Sequence, residues 1–290
     1  MATPSDPRPG HLYVVGTPLG NLEDMTFRAV RMLQAVDLIA AEDTRHTGKL
    51  LQHFQITTPQ LSYHEHNRQS RIGDVLHHLQ IQQHAVALVS DAGMPGISDP
   101  GYELIAACIQ ADIPVVPIPG PTAAVTALCV SGLPTDRFVF EGFLPAKGTA
   151  RTARLELLRQ EERTIILYEA PHRLLRTLED LAQTLEPGRR ATLGRELTKR
   201  FEQFWHGSLA EAVAFYQTTP PKGEFTLVVQ GTARQAPVVS NQALRAELER
   251  LLQEGLSRAE ASRQLAQATG QSKKTIYQLS LGIENDPAEP

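Results

Sequence analysis

The stretch Ser90-Asp91-Ala92-Gly93-Met94-Pro95-Gly96-Ile97-Ser98-Asp99-Pro100-Gly101 constrains the fold of this chain more than any other. It follows an unbroken apolar run, Ala85-Val86-Ala87-Leu88-Val89, and precedes a helical pattern from Tyr102 to Ile109. A short, wholly apolar run bounded by turn residues reads as a strand buried on both faces. Asp99 fits a helix N-cap and Pro100 the first helical position. The unit is therefore strand, glycine-rich loop, helix, and open α/β sheets bind ligands in the crevice beyond the carboxyl ends of such strands. Three glycines in twelve residues let the backbone approach a ligand where side chains would block it.

The pattern recurs. Leu12-Tyr13-Val14-Val15 runs into Gly16-Thr17-Pro18-Leu19-Gly20-Asn21, ahead of a helical pattern from Met25 to Leu33. Val36 to Ala41 ends in Glu42-Asp43-Thr44-Arg45, and Ile113 to Ile118 ends in Pro119-Gly120-Pro121-Thr122, with a helix from Ala123 to Val130. Four such units predict a mostly parallel sheet with helices on both faces, in an α/β domain over residues 11–132. A second α/β domain is expected over 133–233. Its strands, from Phe138, Thr164, Ala191, Phe201 and Gly223, are joined by short turns and suggest a mixed sheet. Ser208 and Glu211 have the spacing of a capping box. Residues 234–242 read as a linker and 243–282 as a helical module. There Leu256 to Ala268 stops at Gly270, and a second helix starts at Ser272, the order of a helix-turn-helix or of an ordinary helical hairpin. Residues 1–10 and 283–290 read as disordered tails.

Composition excludes more than it selects. With 290 residues, 41% hydrophobic and 21% charged, the chain is an ordinary globular protein, and its formal net charge of -4 confines any nucleic-acid-binding surface to a local patch. Cys108 and Cys129 lie in apolar helical contexts without metal spacing and are expected to be buried thiols in a reducing compartment. Seven histidines between His46 and His84 invite a metal reading, but none pairs as HxxxH on an assured helix beside a carboxylate, so a solvated surface and no metal are expected. Neither the dinucleotide fingerprint nor a Walker A motif occurs. No secretory signal is visible and no run approaches the ~18 apolar residues of a membrane span, so a cytoplasmic location is expected. Locally the second half is basic, with Arg173, Arg176, Arg189, Arg190, Arg195, Lys199 and Arg200 near predicted loop ends. These are either solvated surface or a rim that positions a nucleic acid by its phosphates.

Eight ordered segments, VGTPLGNLED, AEDTR, SDAGMPGISDPG, PIPGPTAA, FEGFLP, YEAPHR, GRELTK and GEFTLVV, resemble the tetrapyrrole methylase superfamily, and within it the methyltransferases of small-subunit ribosomal RNA. The resemblance spans residues 11–282. It implies S-adenosyl-L-methionine as methyl donor, bound in a cleft between the two α/β domains, a homodimer, and 2′-O-methylation of a cytidine ribose in the decoding region of 16S rRNA, with the small ribosomal subunit as the expected setting. Matched residue by residue, it places Pro18 or Leu19, then Ala92, Gly93, Met94 and Ile97, then Thr122 and Ala123, and finally Tyr168, Glu169 and Leu197 against the cofactor. Met94 stands where porphyrin-modifying relatives carry aspartate, with Asp91 offering a carboxylate nearby.

A neutral ribose hydroxyl is a poor nucleophile, so a base or a field favouring the alkoxide should help. Glu196 and Asp91, each at a predicted strand end, are candidate bases. Lys199 or Arg195 would stabilise the oxyanion or hold a flanking phosphate. RNA is expected on Arg173, Arg195 and Arg200 and on Lys273 and Lys274 in the first turn of the last helix. Two rivals remain: a methyltransferase acting on a tetrapyrrole-like small molecule, and a non-catalytic RNA-binding assembly factor on the same scaffold.

Overall fold

The computed structural model describes residues 7–232 and 240–283, which divide between Thr232 and Ala233 into two compact units. In the larger unit β1 (Leu12–Val15), β2 (Leu38–Ala41), β3 (Gln60–Ser62), β4 (Val86–Val89) and β5 (Val115–Ile118) form one sheet in the order β3-β2-β4-β1-β5, every pair parallel. β1, β2 and β4 are buried at every position, as strands covered on both faces must be. Tyr13, Val15, Ile39 and Val89 point to one face, where α1 (Phe27–Ala35) and α2 (Thr44–His53) contribute Met32, Leu33, Leu50 and Leu51. Leu12, Val14, Leu38 and Leu88 point to the other, against Val75 and Leu79 of α3 (Arg68–Gln80) and Leu104 and Cys108 of α4 (Tyr102–Gln110). β1 lies between β4 and β5, so the chain leaves it to one side and returns to the other. The crevice of such an open sheet falls at this switch in strand order.

The second sheet contains β6 (Phe138–Phe143), β7 (Thr164–Glu169), β8 (Arg190–Arg195), β9 (Gln203–Ser208) and β10 (Phe225–Val229) in the order β6-β7-β10-β8-β9. β6 and β7 are parallel and the remaining pairs antiparallel, the expected mixed sheet. Ile165, Leu167, Leu193 and Leu227 are covered by α6 (Gly148–Arg159), α7 (Pro171–Leu185) and α8 (Leu209–Thr218), the last opened by the Ser208–Glu211 capping box. Ile166 and Val228 on the opposite face meet Ala124, Ala127 and Leu128 of α5 (Ala123–Cys129). α5 continues directly from β5, so the last helix of the first half packs on the second sheet and ties the two together.

Three loops at the carboxyl ends of β1, β4 and β5 are stitched into one piece. Thr17 and Gly93 exchange backbone hydrogen bonds of 2.9 and 3.0 Å, and the Thr17 hydroxyl donates to the Ser90 carbonyl at 3.0 Å. Gly16 lies directly on Gly120: a Cβ on Gly120 would sit 2.8 Å from the Gly16 Cα.

Among its described residues the smaller unit has three helices, α9 (Asn241–Gln253), α10 (Arg258–Thr269) and α11 (Lys273–Leu281), around Leu244, Leu248, Leu251, Leu265 and Ile276. Ser257 and Glu260 cap α10, and Gly270 ends it at φ +68° in the left-handed stop expected there. The helix α9, signalled by Leu244, Leu248, Leu251 and Leu252 at helical spacing, takes Asn241 and Gln242 from the expected linker. Residues 233–239 of that linker, residues 1–6 and the acidic tail from Glu284 lie outside the described residues.

Three expectations are corrected, and one stretch left without assigned elements proves to hold them. Residues 7–10 are not a loose tail: Gly10 N–H donates to the His84 carbonyl at 3.1 Å and Arg8 N–H to the Tyr13 hydroxyl at 2.8 Å. The polar stretch after His46 contains two helices and the edge strand β3, too short and polar to announce itself. Cys129 is exposed, because α5 turns its Ala124, Ala127 and Leu128 side inward instead. Helix α4 begins at Tyr102 rather than Pro100, since Gly101 adopts φ +147° and is itself the N-cap; Asp99 is left free of any capping role.

Two substitutions test this architecture by urea unfolding. Leu128→Ala removes buried volume between α5 and the second sheet and should cost about 2–5 kcal/mol. Gly120→Ala drives a methyl into the Gly16 backbone and should cost about 1–3 kcal/mol through overpacking.

Candidate functional site

The stitched loops form one wall of a cleft of about 370 Å³, and strand ends of the second sheet form the other. Leu19, Ala92, Gly93, Met94 and Ile97 line it from the first two loops, and Thr122 and Ala123 from the third. Tyr168, Glu169 and Leu197 line it from the second sheet. The structure thus brings ten of the eleven expected cofactor residues to one cavity. Pro18 faces a second cavity of about 500 Å³, lined also by His46, Lys49 and Asp91. The two cavities share Leu19, Ala92, Lys199 and Glu224.

Local geometry keeps the first cleft open. Gly93 has φ +83°, and a Cβ there would meet Leu19 Cδ2 at 3.4 Å and the Pro121 carbonyl at 3.6 Å. Thr122 caps α5 without a side-chain bond, and Ala124 N–H, one of the unpaired donors of the first turn, donates instead to the Tyr168 hydroxyl at 3.2 Å. That bond bridges the two walls. Phe140 and Phe143 pack edge-on against the Tyr168 ring, and burial raises its phenol above the ordinary range.

The carboxylates differ sharply in how they are held. Glu169 is buried, accepting from the Thr177 hydroxyl and Ala170 N–H and pairing with Arg173 at 3.2 Å. Glu196 accepts from Lys199 Nζ at 3.1 Å and Glu224 N–H at 2.9 Å; burial opposes its charge, but these donors hold its pKa below the usual carboxylate value. It lines neither cavity. Asp91 accepts from Asp43 N–H at 3.2 Å and faces the second cavity. Lys199 also reaches Glu224 at 2.7 Å; burial disfavours its charge, yet the two carboxylates raise its pKa. Gly20 makes room for it, since a Cβ there would lie 2.3 Å from Lys199 Cγ.

The sequence points to Asp99 as a helix cap, but Gly101 holds that position in the structure. Asp99 lines the first cleft, and burial followed by the charge of Glu42 pushes its pKa up to about 7. The available signal was its place in a loop with three glycines, at the carboxyl end of a central strand.

The expected RNA contacts fall into two groups. Arg173 is turned inward to Glu169 and the Leu144 carbonyl, and Arg195 Nε donates to the Lys222 carbonyl at 2.6 Å. Arg200 is exposed with its guanidinium over the Phe201 ring, and Lys273 and Lys274 are exposed on the first turn of α11. Among the described residues no group of three His, Cys, Asp or Glu is placed to hold a metal, and no helix is long and apolar enough to cross a membrane.

Residues 11–213 match the family described as Tetrapyrrole (Corrin/Porphyrin) Methylases. A Synechocystis sp. protein named ribosomal RNA small subunit methyltransferase I is 61% identical over 278 residues, 96% of this chain and 99% of that one. Its namesake from Escherichia coli O157:H7 is 47% identical over 279 residues, 96% of each chain. Among solved structures, the uroporphyrin-III-C-methyltransferase from Thermus thermophilus is 23% identical with a TM-score of 0.55, covering 76% of this chain and 94% of that one. The methyltransferase CobJ is 19% identical with a TM-score of 0.58, covering 77% and 95%. These two share this chain's fold over about three quarters of its length. With 47–61% identity to the first pair over nearly the whole chain and the family match over residues 11–213, the chain belongs to the tetrapyrrole methylase family, in the branch of the ribosomal RNA small subunit methyltransferase I proteins.

Proposed function

We propose that this chain uses S-adenosyl-L-methionine to 2′-O-methylate the ribose of a cytidine in the decoding region of 16S rRNA, acting as a cytoplasmic homodimer on the small ribosomal subunit. The observation that carries the reading is the cleft where the stitched loops meet the second sheet. Its volume falls in the range of small-molecule sites, and its lining is mostly apolar with a few polar groups. The bound cofactor would supply an electrophilic methyl group on a sulfonium centre. Leu19, Met94, Ile97 and Leu197 offer it an apolar surface, and Thr122 a hydroxyl.

The chain's own residues do the rest. The joined loops hold a fixed geometry, and for a displacement that needs the acceptor oxygen in line, orientation can account for much of the acceleration. Lys199, on the wall common to both cavities, is placed to hold a phosphate or steady an oxyanion. The second cavity adjoins the first and has room for a nucleotide turned out of its stack, which suits single-stranded or distorted RNA. Exposed Arg200 with Phe201 offers a cation beside an aromatic face, a pairing that suits unstacked bases. The names of the relatives favour ribosomal RNA over a tetrapyrrole.

A methyl-transfer assay with isolated 16S rRNA, assembled small subunits and uroporphyrinogen, followed by mass mapping, tests the reading. The methyl group should appear on one cytidine ribose; methylation of uroporphyrinogen alone, or no transfer to any of the three, would refute it. Lys273→Ala combined with Lys274→Ala should weaken RNA binding and make it less sensitive to salt by about two counterions, a shallower log–log slope. An unchanged affinity across the salt series would remove α11 as an RNA contact.

A further inference from the structure

We infer that Asp99 accepts the proton of the acceptor hydroxyl, an assignment that rests on the ribose methylation proposed above and identifies the base it requires. Among the described residues, Asp99, Glu169 and Glu224 are the carboxylates on the wall of the first cleft. Glu169 is already engaged by Thr177, Ala170 N–H and Arg173, and Glu224 by Lys199. Glu196 and Asp91 are held by the donors described above, and neither lines this cleft. The charges that act most strongly on Asp99 are other carboxylates, although Lys199 lines the same cleft while paired with Glu196 and Glu224.

The backbone is shaped to present it. Gly93, Gly96, Ser98 and Gly101 all have positive φ, at +83°, +82°, +63° and +147°. Ser98 is the one among them that is not glycine, and a strained residue of that kind persists only where its surroundings enforce it. The enforcement is visible: a Cβ on Gly101 would sit 3.0 Å from Gly96 N, and one on Gly142 of β6 would sit 3.1 Å from Ser98 Oγ. The turn before Asp99 is therefore clamped between its own glycines and the second sheet.

The groups acting on Asp99 come from several elements: Glu42 after β2, Asp91 after β4 and Glu224 before β10, with the Ser90 hydroxyl opposing them. Tyr168 at the end of β7 also feels its charge. Burial and these carboxylates raise its pKa to about 7, where a base combines a useful ionised fraction with a real affinity for a proton. In the step, the ribose O–H bond breaks and its proton bonds to an Asp99 oxygen. The hydroxyl oxygen forms the new bond to the methyl carbon, and the electron pair of the broken carbon–sulfur bond stays on sulfur. A carboxylate and a sulfonium become a carboxylic acid and a thioether, so no net charge is created in the cleft.

The test combines catalysis with a readout on the unliganded protein. In single-turnover assays the wild-type rate should rise tenfold per pH unit and level off near pH 7. Asp99→Asn should lower it about 10²–10⁴-fold and abolish that limb, with Asp99→Glu restoring part of it. In ¹³C-labelled free protein the Asp99 carboxyl should titrate near 7. Because the folded pKa lies above the unfolded value near 3.8, ionising Asp99 costs stability. The cost is absent at low pH, grows above about pH 4 and is complete above about 7. Asp99→Asn should therefore melt higher than wild type at pH 8, the gap closing toward pH 4. An Asn variant within tenfold of the wild-type rate, or one that keeps the acid limb, overturns the assignment. So does a wild-type carboxyl titrating near 4, which decides the matter even if the variant does not fold. Wild-type protein that methylates a base, or no RNA at all, sinks the ribose reading instead.

Discussion

Gly16 and Gly120 touch through their backbones, and that contact sets how closely the carboxyl ends of β1 and β5 approach. Neither position has room for a side chain. With the Thr17–Gly93 bridge beside it, three loops that would otherwise move separately become one surface. Reactions that depend on alignment lose rate steeply when the reacting groups shift by an ångström. A cradle of backbone fixed to backbone protects against such shifts better than one of long side chains, because little conformational entropy remains to be lost on binding.

The second wall is tied to the first by means that differ in kind. α5 leaves the first sheet and buries Ala124, Ala127 and Leu128 on the second. Tyr168 returns the connection by accepting from Ala124 N–H. Lys199 crosses above Gly20 while bound to Glu196 and Glu224. An apolar face, a neutral hydrogen bond and the Lys199 stem packed over Gly20 thus connect the same two sheets, and the residues up to Thr232 form one compact unit rather than two. The cleft is a seam within that unit.

Much of this was readable from residue order because the local signals agreed with the tertiary outcome. The runs Leu12–Val15 and Val86–Val89 are apolar throughout and became strands covered on both faces. Ser208 with Glu211 and Gly270 did what their local chemistry favours. Asp99-Pro100 did not: alone it suits a helix start, but the Gly96–Gly101 contact pulls the turn tight and delays the helix to Tyr102. A contact between residues five apart with no side chains leaves no hydrophobic pattern to read. β3 was hidden for another reason, since Gln60–Ser62 is a half-buried edge with one partner strand and needs no apolar alternation. At the site, the loops that line the cleft were legible from their glycines and prolines. Which carboxylates would be engaged by cations and amides was not, because that depends on Arg173, Lys199 and backbone N–H groups arriving from other strands.

The distribution of charge follows the same division. Glu42, Asp91, Asp99 and Glu224 gather where the first sheet's loops meet the second sheet, whereas exposed basic groups such as Arg200 lie outside the cleft lining. A sulfonium donor is a cation and RNA a polyanion, so a uniform field of either sign would favour one and repel the other. Screening at physiological salt confines exposed fields to about 8 Å, while groups in a partly buried crevice are screened much less. An acidic interior can therefore favour the donor without repelling a phosphate backbone held farther out. A net charge of -4 is compatible with an RNA-modifying role on these terms, because what matters is where the charges lie and not their sum.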